Sequence, residues 1–143
     1  MPKVLFLDVY LLGLVRSMRI RYVKPGFFVN EQLAECSYAA RLLFVGLWCI
    51  ADREGLLEDK PKKIKALIFP YDTDVNAHEL LQELYENELI IRYEVDGEKY
   101  VAIPSFAIHQ KIHRNEAQSI LPGYKNAKFA TKVGTRTYQG RYK

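Results

Sequence analysis

Tyr38-Ala-Ala-Arg-Leu-Leu-Phe-Val-Gly-Leu-Trp-Cys-Ile-Ala51 reads as a helix that is apolar almost all round, interrupted by Arg41 and Gly46. Ser37 stands at its start as an N-cap. Such a helix has no polar face to give to water, so it must be central and every other element must pack around it. The chain has 143 residues, 49% of them hydrophobic, which is enough for one domain with a core that needs neither disulfides nor metals. The longest apolar runs, residues 4–15 (broken by Asp8) and 42–50, fall short of the ~20 residues of a membrane-spanning helix. No span is expected, and Asp8, with no small-residue cleavage pattern after it, argues against an export signal. Cys36 and Cys49 lie inside apolar helical patterns and fit no metal-ligand spacing, so they are expected as reduced packing thiols of a cytoplasmic protein.

Around the central helix the punctuation is regular. Pro25 and Gly26 mark a loop, after which Asn30 caps a short helix carrying Leu33 and Ala34. Residues 52–55 end the central helix, and Leu56-Leu57-Glu58 has the length of a short strand. Asp59 and Pro61 open a further helix that runs through Ile64, Leu67 and Ile68 to a stop at Pro70. Asn76, with Glu79 three residues on, is a capping-box pattern ahead of Leu80, Leu81, Leu84 and Tyr85, and Asn87 closes that helix. The period then changes to alternation: Leu89 to Val95, the turn Asp96-Gly97, and Glu98 to Ile103 predict a type I′ hairpin. A two-residue turn sets Tyr93 opposite Tyr100 and Glu94 opposite Lys99. Residues 105–119 read as one more helix or an extended arm, and residues 121–143, without a sustained apolar period, as mostly disordered.

Helix, short strand, helix, helix and hairpin is the order of a winged helix-turn-helix, an α+β fold in which the hairpin is the wing. Within that frame several segments carry a resemblance: Arg19-Ile-Arg-Tyr-Val-Lys-Pro-Gly-Phe-Phe28, Ala40 to Trp48, Ala51-Asp-Arg-Glu-Gly-Leu-Leu-Glu-Asp59, Phe69-Pro-Tyr-Asp72 and Pro104 to His113. Residues 18–116 resemble the N-terminal winged-helix domain of bacteriophage replication-initiation proteins, the replisome organisers, which are loosely related to DnaD-like primosome proteins. The resemblance implies binding of double-stranded DNA at an origin and recruitment of helicase-loading proteins. Residues 1–17 lie outside it, and Met18 is an alternative start. Relatives often continue through a linker into a further region.

Charge is unevenly placed. Residues 1–24 hold five basic residues against one acidic, residues 25–108 eight against fifteen, and residues 109–143 eight against Glu116 alone. This predicts a basic arm (1–28), an acidic winged-helix body (29–116) and a basic tail (117–143), whose flanks are candidate footprints for a polyanion. Arg19, Arg21 and Lys24 lie in the arm, with Arg16 before them; Lys111, His113 and Arg114 lie just ahead of the tail. The tail interleaves Lys125, Lys128, Lys132, Arg136, Arg141 and Lys143 with Tyr124, Phe129, Tyr138 and Tyr142, which suits single-stranded DNA because cations neutralise phosphate while rings stack on bases. Lys60, Lys62, Lys63 and Lys65 crowd the first turns of a helix, against its own dipole, where a phosphate would relieve them. A solvated cluster paired with Glu58 and Asp59 is the competing reading.

The presumed recognition helix weakens the DNA reading. Asp72, Asp74, Glu79, Glu83, Glu86 and Glu88 surround it without one lysine or arginine, so Asn76 and Gln82 (with Asn87) are its candidates for base contact and Lys99 is the candidate on the wing. His109 and His113 have the spacing of metal ligands on one helical face but no third ligand, so ordinary hydrogen-bonding or phosphate-contacting histidines are the favoured reading. No Gly-rich phosphate loop, nucleophile elbow or metalloprotease motif is present, so neither catalysis nor a cofactor is expected. The reading is a DNA-binding protein of phage or prophage type in replication initiation. Two others stay open: a protein-interaction or self-assembling module of a primosome-type complex, and a transcriptional regulator on the same fold.

Overall fold

The computed structural model describes residues 17–125 and 127–129, together with Gly13. Arg16 and the tail residues Lys132, Arg136, Tyr138, Arg141, Tyr142 and Lys143 lie outside the described residues, as does the expected disorder of residues 130–143. A 3-10 turn, Pro25–Val29, precedes a one-turn helix α1 (Glu31–Ala34), the central helix α2 (Tyr38–Ile50), strand β1 (Leu56–Glu58) and helices α3 (Pro61–Ile68) and α4 (Ala77–Glu86). The hairpin β2 (Ile91–Val95) and β3 (Glu98–Ala102), one-turn α5 (Phe106–His109) and a two-residue strand β4 (Lys128–Phe129) complete the mixed α+β fold. The antiparallel sheet has the order β1-β3-β2-β4.

Local chemistry sets the boundaries. Asn30, Ser37 and Asn76 each accept a hydrogen bond from the backbone N–H three residues on, so all three expected N-caps are in place. Asp96 and Gly97 take φ of 51° and 82°, the left-handed pair of a type I′ turn. That turn fixes the register, with Tyr93 opposite Tyr100 and Glu94 opposite Lys99. After α2 the chain reverses over residues 52–55: one Asp52 oxygen accepts from the N–H groups of Glu54 and Leu56, and Gly55 has a φ of 77°. A Cβ on Gly55 would come within 2.6 Å of the Phe106 Cβ, so this corner needs glycine for both backbone and space.

The main core surrounds α2 on Leu43, Leu47, Leu81, Leu84, Ile90 and Val101. A second cluster, Leu56, Ile91, Tyr93 and Ala102, lies on the opposite face of the sheet and is covered by Leu121, Tyr124 and Ala127. Residues 121–125 and 127–129 therefore depart from the expected disorder. The Tyr93 hydroxyl donates to the Pro122 carbonyl at 2.7 Å, the Tyr93 and Tyr124 rings meet edge-on, and β4 pairs with β2. An apolar sheet face must be covered, and this segment is what reaches it. Cys36 and Cys49 are free thiols, as expected, with acidity weakened by burial. Among the described residues no helix is long and apolar enough to cross a membrane.

Asp59 also departs from expectation. The α3 N-cap is Lys60, with no side-chain cap, and Asp59 turns inward to form a two-pronged ion pair with Arg92, at 2.7 and 2.9 Å. Arg92, 4% exposed, also donates toward Gln82 and approaches His78 Nδ1 at 3.2 Å. Asp59 follows β1, Arg92 sits on β2, and both other partners are on α4, so one guanidinium joins sheet to helix. Losing one partner strands the other charge in the interior. Asp59→Ala is expected to cost about 3–5 kcal/mol, and replacing both residues with apolar ones much less, in urea unfolding. By the same measurement Gly55→Ala should cost more than about 1 kcal/mol.

Candidate nucleic-acid interface

The expected basic arm is only partly an arm. Arg21 runs under the C-terminal end of α2, where its guanidinium donates to the carbonyls of Trp48 (2.9 Å) and Ala51 (3.0 Å). Its remaining donors grip both Glu116 oxygens at 3.0 and 2.7 Å, and its cation lies 4.9 Å from the centre of the Phe106 ring. The negative end of a helix dipole favours a cation there, and the carboxylate neutralises it. Arg21 is thus consumed by the fold and corrected from a phosphate contact to an internal tie, its side chain only 4% exposed.

That tie brings two distant stretches together. The Arg19 N–H donates to the Cys49 carbonyl, and the buried Gln110 amide makes a reciprocal pair with the Tyr22 backbone at 2.8 and 2.9 Å. Arg53 donates to the Glu116 carbonyl at 3.1 Å. Residues 19–24 and 110–116 consequently lie side by side across the end of α2, and the basic residues they carry become neighbours.

Four adjoining depressions result. The first, between the starts of α3 and α4, is edged by Lys60, Lys62, Lys65, Asn76 and His78. The second shares Lys60 with it and adds Lys63, Arg53 and Arg19. The third shares Arg19 and adds Lys111 and His113, and the fourth shares Lys111 and adds Lys24 and His109. Lys24 and Lys111 thus border one depression, Lys111, His113 and Arg19 the next, Arg19, Lys63 and Lys60 a further one, and Lys60, Lys62 and Lys65 the last, so that shared residues link these cations into a basic strip. Acids along it are mostly engaged. Asp52 holds its own turn and accepts from the Ser119 hydroxyl, Glu58 pairs with Lys60, Glu116 holds Arg21, and Asp59 is inside with Arg92. Lys60 holds Glu58 below the usual carboxylate range chiefly through its hydrogen bond. Asp74 remains on the first depression as an exposed acid.

The amides of the residues expected to read bases make hydrogen bonds within the fold, although Asn76 also edges the first depression. Asn76 spends its oxygen capping α4, and Gln82 lies between Arg92 and Glu86. Asn87 donates to the Glu83 carbonyl. Lys99 is exposed on the hairpin and Arg114 is exposed beside His113, but neither edges the four depressions. Tyr124, expected to stack on bases, packs against Tyr93 instead. Helix α5 ends at His109, so His109 and His113 do not share a helical face. Sequence reasoning missed Arg53, whose place on the strip follows from Glu116 and has no local signature. It also missed Gln110 as the clamp on Tyr22; a polar residue between Ile108 and Ile112 was the available hint.

No protein-family model, curated protein or solved structure matches the chain.

The Arg21 hydrogen bonds hold the Glu116 carboxyl below its ordinary value. Its stabilising contribution is therefore complete above the unfolded-chain value of about 4.3 and is lost as pH falls through the lower folded value. Glu116→Gln should lower the thermal midpoint at neutral pH and flatten its decline on acidification, as followed by circular dichroism from pH 7 downward.

Proposed function

We propose that the chain is a winged-helix DNA-binding protein that acts without catalysis in replication initiation, in the manner of the phage replisome organisers that residues 18–116 resemble. The observation that carries this reading is the strip of basic residues spread over four adjoining depressions. The element order from α2 to β3, the β1-β3-β2 sheet and the I′ turn support the winged-helix assignment. In this reading the strip takes phosphates of double-stranded DNA by charge. Helix α4, acidic outside and with the oxygens of Asn76 and Gln82 already accepting hydrogen bonds, takes no part in base readout. Specificity then comes from shape or from assembly on the origin, with helicase-loading proteins as downstream partners.

The same acidic face favours a second reading. Glu79 and Glu86 are exposed on α4 and would be repelled by phosphate, so this side suits a protein, either another component of a primosome-type complex or another copy of the chain.

A salt titration separates the two. Binding of a duplex, read by fluorescence anisotropy, should weaken steeply as salt rises, and Lys62→Glu with Lys63→Glu should lower the slope of log K against log salt by about 0.9 for each phosphate no longer neutralised. A stable oligomer with no duplex affinity even at low salt would replace the DNA reading with the interaction module.

A further inference from the structure

Tyr22 stands where the third and fourth depressions meet, and its ring is turned outward, the residue being 58% exposed. Its backbone is fixed on both sides, N–H to Gln110 Oε1 and carbonyl from Gln110 Nε2. Among the described residues no hydrogen bond or ring contact uses its side chain, whereas the Tyr93 ring packs on those of Tyr100 and Tyr124. Lys24 and Lys111 flank it, and Ile108, 64% exposed, lies beside it. The same ring borders a cleft walled by Phe27, Phe44, Trp48 and Leu89 and edged by Lys24 and His109.

An exposed aromatic ring on a fixed backbone, with cations on either side and an apolar cleft alongside, offers nothing to a duplex, whose bases are stacked away from the surface. An unpaired strand presents one planar base for each phosphate, and base stacking on such a ring is tolerant of sequence. The Gln110 clamp removes part of the ordering cost, because the ring's backbone is already in place before a base arrives. We propose that this end of the basic strip binds a single unpaired nucleic-acid strand, with a base stacked on Tyr22 and the adjacent phosphates on Lys24 and Lys111. The proposal rests on reading the strip as a nucleic-acid interface and adds the kind of strand that one end of it selects. In replication initiation such a site would hold one strand of an opened duplex while the lysines of α3 stay on the paired part.

The test compares three labelled probes of about 15 units, a length within the range of single-strand sites: an oligothymidylate, an abasic strand with the same number of phosphates, and a duplex. The native protein should bind the oligothymidylate about tenfold more tightly than the abasic strand, as expected for one stacked base. Tyr22→Ala should bring that ratio close to one and leave duplex binding unchanged, while Tyr22→Phe keeps the preference. Tyr22→Leu, which retains bulk without a π-face, guards against a folding defect and should behave as Tyr22→Ala does. Equal affinity of the native protein for oligothymidylate and abasic strand, or a preference that survives Tyr22→Ala, overturns the inference while duplex binding keeps the wider reading. Failure of all three probes to bind at low salt overturns both.

Discussion

The guanidinium of Arg21 holds the candidate site together. It fills the open carbonyl end of α2, a place that would otherwise leave acceptors without donors beneath covering chain, and it brings Glu116 with it across a separation of 95 residues. Four of its hydrogen bonds are made at once, so its positive charge is spent inside the protein. What faces outward is set by that commitment. Arg19 emerges on one side of the tie, and Lys111 and His113 on the other, close enough to border a single depression. A cation withdrawn from the surface is what organises the cations that remain on it.

The acidic body and the basic ends, so distinct along the sequence, are partly reconciled in three dimensions. Several acids of the body have internal duties. Glu83 accepts from the N–H and hydroxyl of Ser37 at the start of α2, where the helix dipole welcomes a negative charge, and Asp59 neutralises Arg92. The segment Ala51-Asp-Arg-Glu-Gly55 has a clear structural use: Asp52 organises the reversal, Arg53 fastens the Glu116 carbonyl, and Gly55 lets Phe106 approach. In Phe69-Pro-Tyr-Asp72, Phe69 enters the core while Tyr71 stays almost wholly exposed.

Features written in local chemistry were legible. Caps at Asn30, Ser37 and Asn76, the apolar period of α2 and the Asp-Gly turn each depend on residues within a few positions, which is why even the hairpin register could be read. Features that depend on a distant partner were not. Nothing near Arg21 announces Glu116, nothing near Asp59 announces Arg92, and a lysine cluster carries no information about which depressions it borders. The packed tail does have a signal in the strands it covers. Leu89-Ile-Ile-Arg-Tyr93 and Tyr100-Val-Ala-Ile103 place apolar residues on both phases of the alternation, which marks a sheet buried on both faces and requires a second covering segment.

The strap formed by residues 121–125 and 127–129 also bears on where this molecule can be cut. A fragment trimmed at residue 116, the expected end of the winged-helix body, would uncover Ile91 and Tyr93 and leave the outer rim of β2 unpaired. A bare hydrophobic slab beside open backbone donors and acceptors is a template for sticking to other chains. The smallest well-behaved piece therefore extends through residue 129, and precipitation of anything shorter would report a missing lid on the sheet rather than an unstable helical half.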